Sequence, residues 1–301
     1  MNLTCKIQNN NFEAGEFTDV KQVDYSAAIN IIEHFPWEKQ REHIVIELTN
    51  PSVSFECSPD CILKLALFFN HKFVLHFFDG EHLYTKSFTD CKQAYPFIEF
   101  FFVHQTIDLS IFKKENTWLK KISHHFRTGD FVYSVEKKKI WQLLDYGTII
   151  SLIMNIVLVT IFMLDGGTHH NKAHNDWKFI LIFFPVFFLY GGINYILLLN
   201  YYLASRNKTL KLTRGDNVFL WGNNADLKEY KKTDVIRILI KKNKGSRCPW
   251  ETFALSFLFF NDGTYIKIPS MILSDSDIQY KMFPLTSEIK QSIIPFCKLG
   301  E

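Results

Sequence analysis

Apolar positions follow two kinds of pattern along this chain. Short runs, alternating or rich in aromatic residues, recur between Asp24 and Phe88 and again from Lys208 to Ile268. Between them lie two uninterrupted apolar stretches, Thr148 to Leu164 and Phe179 to Leu199, which contain no Asp, Glu, Lys, Arg or His. A helix needs about 20 apolar residues to cross a hydrocarbon core, so the pattern predicts a two-helix transmembrane hairpin with spans at 146–164 and 179–203. The expected fold class is an α+β membrane protein with domains at 1–130, 131–205 and 206–301.

In the first domain, Asp24 to Phe35 places Ala28, Ile31, Ile32 and Phe35 at helical spacing, and Pro36 disfavours helix before it. Runs at His43–Thr49, Val53–Cys57, Ile62–Phe69, Lys72–Phe78 and His82–Phe88 are separated by Asn-Pro, Pro-Asp, Asn-His and Asp-Gly breaks. They predict an antiparallel meander. Asp90 is positioned to cap a helix from Cys91 to about His104. From Ile111 to Arg127 a helix is expected with Trp118, Leu119, Ile122 and Phe126 on one face. Its lysines would let it lie among lipid headgroups, although packing on the first domain is the commoner use of such a face.

After the second span, strands are expected at Thr209–Thr213, Val218–Trp221, Asp234–Lys242, Phe253–Phe260 and Tyr265–Ile268, with Asn261-Asp262-Gly263 as a hairpin turn. An amphipathic helix from Leu285 to Phe296, burying Ile289, Ile293 and Ile294, would close this domain. This order, with the hairpin FLFFNDGTYIKIP, resembles bacterial membrane proteins that carry a PH-like domain after a transmembrane hairpin. The resemblance spans residues 137–298. It implies a non-catalytic β-meander held against a membrane and leaves the first domain unexplained.

Charge sets the expected topology. Lys137–Lys139 precede the first span, Arg206, Lys208, Lys211 and Arg214 follow the second, and the loop 165–178 is close to neutral. The positive-inside rule then places both termini in the cytoplasm and exports the loop, with the protein integral to the cell inner membrane. Ser151 level with Gly191 and Gly192, together with Asn155 and Asn194, would pack one helix on the other or join neighbouring protomers in a homo-oligomer. A net charge of +3 without a basic stripe argues against a nucleic-acid partner.

Reactive groups are sparse. His169, His170 and His174 fall within six residues of the loop, but a metal would need further ligands and only Asp165 and Asp176 are near. A solvated hinge is the simpler reading. Cys57 and Cys61 lack a second pair at matching spacing and read as incidental thiols, in line with six scattered cysteines. Lys241, Lys242, Lys244, Arg247 and Trp250 form a basic, aromatic-flanked segment suited to lipid headgroups. No phosphate loop, nucleophile elbow or catalytic-loop motif occurs, and no cofactor is implied. The expected function is a non-catalytic membrane binding protein, foremost an immunity protein that neutralises a toxin. The alternative is an envelope regulator or scaffold that binds lipid or protein.

Overall fold

The alternation of apolar and polar residues becomes three β-sheets in the described residues. The computed structural model describes residues 1–43, 48–116, 122–138, 140, 149–150, 153–154, 156–157, 160, 192–243 and 250–297. The chain divides into two compact units, one formed by Met1–Phe131 with Thr213–Asp216 and the other by Val132–Leu212 with Asn217–Glu301.

The first unit is one antiparallel sheet of seven strands. These are β1 (Leu3–Gln8), β2 (Thr18–Val23), β3 (Ser52–Ser58), β4 (Cys61–Leu67), β5 (Phe73–Phe78), β6 (Leu83–Phe88) and β7 (Lys113–Lys114), in the order β2-β1-β3-β4-β5-β6-β7. Side chains alternate across a strand, and one face carries Leu3, Cys5, Phe55, Leu63, Leu65, Leu75 and Phe77. Helices α1 (Tyr25–His34) and α3 (Tyr95–His104) cover that face with Ala28, Ile32, Ile98, Phe101 and Phe102, and the short α2 (Trp37–Gln40) follows α1. Phe55 is wholly buried, a contribution of about 1.5–3 kcal/mol. Asp24 caps α1 by accepting from the Ala27 N–H at 2.8 Å.

The opposite face is polar and still buried. Lys6, Ser54, Lys64, His76 and Thr85 stand in one row across β1, β3, β4, β5 and β6. Lys6 pairs with Glu56, and the Lys64 amine donates to Gln8 Oε1 at 2.7 Å and to the Leu48 carbonyl at 2.6 Å. Ile122 and Phe126 cover the row's neighbours, with Phe126 stacked on Phe78 at 5.0 Å.

The second unit contains two four-stranded sheets. One joins β8 (Val132–Tyr133), β9 (Lys208–Lys211), β10 (Val218–Asn223) and β11 (Asp226–Lys231) in the order β11-β10-β9-β8. The other joins β12 (Val235–Lys242), β13 (Ala254–Phe260), β14 (Tyr265–Pro269) and β15 (Ser287–Gln291) in the order β14-β13-β12-β15. Their inner faces share a core that includes Leu210, Phe219, Trp221, Ile238, Ile240, Leu258, Ile268 and, from helix α5 (Asp275–Lys281), Ile278. Helix α4 (Ile193–Ser205) packs Leu197 and Tyr201 on the outer face of the second sheet beside Phe253, Leu255 and Phe257. The Tyr201 hydroxyl donates to the Pro295 carbonyl at 2.7 Å.

These observations correct several expectations. The fold is three β-sheets with few helices, and among the described residues no helix is long and apolar enough to cross a membrane. The first span and most of the second lie outside the described residues. The described end of the second span is α4, whose 13 residues fall short of a crossing and whose Leu197 and Tyr201 are buried on a sheet. An apolar run reads the same whether lipid or protein covers it, which is why the sequence pattern pointed to a hairpin. The α+β membrane class, the integral inner-membrane location, the exported loop and oligomerisation through a hairpin are therefore not retained.

The closing helix at 285–296 is also replaced. Residues Ser287–Gln291 form strand β15, parallel to β12, and Ile289 and Ile293 are exposed. The helix lies earlier, at α5, where Ser274 Oγ accepts from the Asp277 N–H at 3.1 Å. The helix expected at 111–127 is absent from its described part, which holds the end of a 3-10 turn at Leu109–Ile111, β7 and a second 3-10 turn at Ser123–His125; 117–121 lie outside the described residues. Most of the strand expected at His43–Thr49 does so too. Cys57 and Cys61 are not free thiols but are joined across the β3–β4 turn with their Cα atoms 5.6 Å apart.

Candidate functional surfaces of the second unit

Strand β13 separates two environments by simple alternation. Ala254, Ser256, Leu258 and Phe260 enter the inter-sheet core, whereas Leu255, Phe257 and Phe259 face outward. Next to them on the outer face stand Arg237 and Lys241 from β12 and Tyr265 and Lys267 from β14. Lys241 Nζ lies 4.7 Å from the centre of the Phe257 ring, Lys267 Nζ 5.5 Å from Tyr265, and the Arg237 guanidinium 5.9 Å from Phe259. The three rings are mutually close, at 5.6 to 6.3 Å. Arg237 also pairs with Glu288 of β15, and Lys290 of β15 lies in register with Lys241. The result is a basic–aromatic sheet face.

The headgroup candidates read from the sequence are distributed by that alternation. Lys241 joins the outer array. Lys242, one residue on, turns inward and binds Asp275 of α5 at 2.6 Å. Trp250 is half-buried and donates its indole N–H to the Ile293 carbonyl at 2.9 Å. Lys244 and Arg247 lie outside the described residues. Arg237, Phe257, Phe259, Tyr265 and Lys267 are the members that sequence reading missed; Arg237 and Lys241, four apart, share a face by simple alternation, whereas the other members come from β13 and β14 and are joined to them only by strand pairing.

Among the helix-packing candidates, Gly192 and Asn194 are buried within this unit, and Ser151, Asn155 and Gly191 lie outside the described residues. So do His169, His170 and His174. Among the described residues no group of three or more His, Cys, Asp or Glu side chains could hold a metal ion.

Where the two sheets part, between β11 and β14, a cleft of about 930 Å³ opens. Lys208, Lys228 and Lys267 line it with Asp226 as the acidic side chain, and Trp221, Tyr230 and Tyr265 supply aromatic walls. A second hollow of about 410 Å³ continues along β11 and shares Tyr230 and Thr264 with the first. Here Glu229, Asp234 and Asp262 outnumber Lys231. Hydrogen bonds from the Thr264 hydroxyl and backbone N–H hold the Asp262 carboxyl below its ordinary range. Burial, with the Asp262 charge, pushes the Tyr230 phenol up. Tyr230 is fixed between Phe219 at 5.5 Å and Phe260 at 5.1 Å.

Residues 132–281 match a family model described as a PH domain. No curated protein matches the chain, and no solved structure does.

Proposed function

We propose that this protein is a non-catalytic binding protein whose PH-like domain takes anionic lipid headgroups on the outer face of its second sheet. The observation that carries this reading is the array of Arg237, Lys241 and Lys267 over Phe259, Phe257 and Tyr265. A cation over a ring keeps its charge while gaining about 0.5–1 kcal/mol at an exposed site, so the array holds positive charge on a semi-rigid, amphipathic floor. PH domains commonly bind lipids or proteins, and the matched residues 132–281 contain the whole array. Beside it α4 exposes Ile196, Leu199 and Leu203 at helical spacing, an apolar stripe of the kind that settles among headgroups.

The test is flotation of the full chain with vesicles of phosphatidylcholine alone or mixed with phosphatidylserine. Binding is expected only to the mixture and should weaken with added salt. Lys241→Gln and Arg237→Gln should each lower affinity about fivefold, from about 1 kcal/mol per basic residue near a charged surface. Equal flotation with both vesicles, or no effect of either substitution, would defeat the reading.

A further inference from the structure

The lipid reading shares Tyr265 and Lys267 on the β14 wall with the groove along β11 but leaves the β11 wall unused, and the geometry of that wall fits a different class of partner. β11 is the last strand of its sheet, and register fixes which of its backbone groups are spent. The Lys232 N–H donates to the Asn217 carbonyl at 2.8 Å, one step beyond the pair Val218–Lys231. Bonded pairs alternate in an antiparallel ladder. Phe219–Tyr230, Trp221–Lys228 and Asn223–Asp226 are therefore the bonded pairs. Leu227, Glu229 and Lys231 turn their N–H and C=O groups the other way, toward the free edge, where they have no backbone partner among the described residues. The groove flanks this edge along the length of β11, with β14 as its opposite wall.

We infer that this groove docks an extended segment of a partner protein, which adds to β11 as a further strand with acidic side chains toward Lys208 and Lys228. Strand addition draws affinity from main-chain hydrogen bonds and selectivity from the side-chain pockets along the edge. The charges supply the selectivity here, because the wider cleft is basic while the end near Asp234 and Asp262 is acidic. The segment should thus be acidic at one end and basic at the other. Charged edge residues also discourage indiscriminate pairing.

Antiparallel pairing of a second copy across this edge centres on Lys228, Glu229 or Tyr230. The first two set like charges directly opposite each other, which is destabilising. The third sets Glu229 opposite Lys231 but leaves the basic cleft around Lys208 without an acidic occupant. The cleft itself depends on Gly222, since a Cβ there would collide with the Asp226 carbonyl.

The test selects binders from a displayed library of random linear peptides with the full chain as bait. Enriched peptides are then titrated against wild type, Glu229→Pro, Lys228→Glu and Lys241→Gln. Proline at 229 removes an N–H that points outward and leaves the β10 pairs intact. Enriched peptides should carry an acidic end, bind Glu229→Pro and Lys228→Glu about three- to tenfold more weakly, as loss of one main-chain bond or one charge contact implies, and bind Lys241→Gln as they bind wild type. Lys228→Glu alters no backbone group, so a folding defect in the proline variant does not blunt the test. Absence of enrichment, equal binding to Lys228→Glu and wild type, or a dimer that Lys228→Glu abolishes would each overturn the inference. Loss of vesicle flotation alone would not touch it.

Discussion

Lys64 offers the sharpest test of how the first unit is held together. Its side chain is wholly buried, its amine meets two neutral oxygens, and the rings of Phe126 and Phe17 lie 5.6 and 5.9 Å away. Burial alone lowers its pKa from the ordinary 10.5 to about 7. In the unfolded chain the amine stays protonated up to the ordinary value. Between pH 7 and 10.5 the unfolded state therefore holds a proton that the folded state lacks, and stability rises with pH across that window. Below pH 7 both states are protonated and the cost of burying the charge is present in full. The gap corresponds to about 5 kcal/mol in total, accrued at about 1.4 kcal/mol per pH unit. Other groups oppose it at higher pH, since burial lifts the Cys5 thiol to about 11 and folding then favours the protonated thiol above pH 9. The informative range is thus pH 7 to 9. Hydrogen exchange of β4 and β5 amides in the full chain, corrected for intrinsic rates, should show opening free energies that climb by roughly 1 kcal/mol or more per pH unit there. Lys64→Met keeps the length of the side chain and removes the titrating group, and its opening free energy should be flat over the same range. A slope in Lys64→Met equal to that of wild type would refute the assignment to Lys64.

His76 should govern the acid side. Burial, helped by the Lys64 and His125 charges, lowers its pKa to about 3, so its contribution is lost as pH falls from 6.5 toward 3, and His76→Phe should flatten that decline in the same exchange experiment. Tyr201→Phe removes the bond to the Pro295 carbonyl and leaves that acceptor buried, which should cost about 1–3 kcal/mol and lower the melting temperature of the second unit. Ser274→Ala deletes the N-cap of α5 and should cost about 1 kcal/mol in urea denaturation. Gly222→Ala forces β10 away from the Asp226 carbonyl and should raise exchange in the β10–β11 hairpin while leaving β4 amides unchanged.

Turns and strand runs were legible in the sequence because their cause is local. Asn261-Asp262-Gly263 bends β13 into β14, where Gly263 takes φ +80°, and the alternation of FALSFLFF already sorts β13 into two faces. Asp90 announced a cap by position, although it closes the 3-10 turn Cys91–Ala94 that precedes α3 and not α3 itself. The basic–aromatic face was only half legible: Lys241 could be named, but Phe257, Phe259, Tyr265 and Lys267 come from β13 and β14, so no sequence spacing joins them to it. Polar strand β11 (DLKEYK), with only Leu227 and Tyr230 to mark it, gave no strand pattern and exists because β10 presents an edge for it to pair with.

What covers a hydrophobic or polar face was decided only by tertiary structure. The sequence makes ILLLNYYL apolar, and contact with a sheet face buries its Leu197 and Tyr201. It makes SEIKQ amphipathic at either period, and the free side of β12 draws it into a parallel strand instead of a helix. It sets Lys64 opposite the apolar Leu63 and Leu65, which would ordinarily put a lysine in water. Burial of that lysine follows from Phe126, Leu48 and Gln8, brought over the sheet from distant parts of the chain, and long-range closure of this kind leaves no local pattern to read.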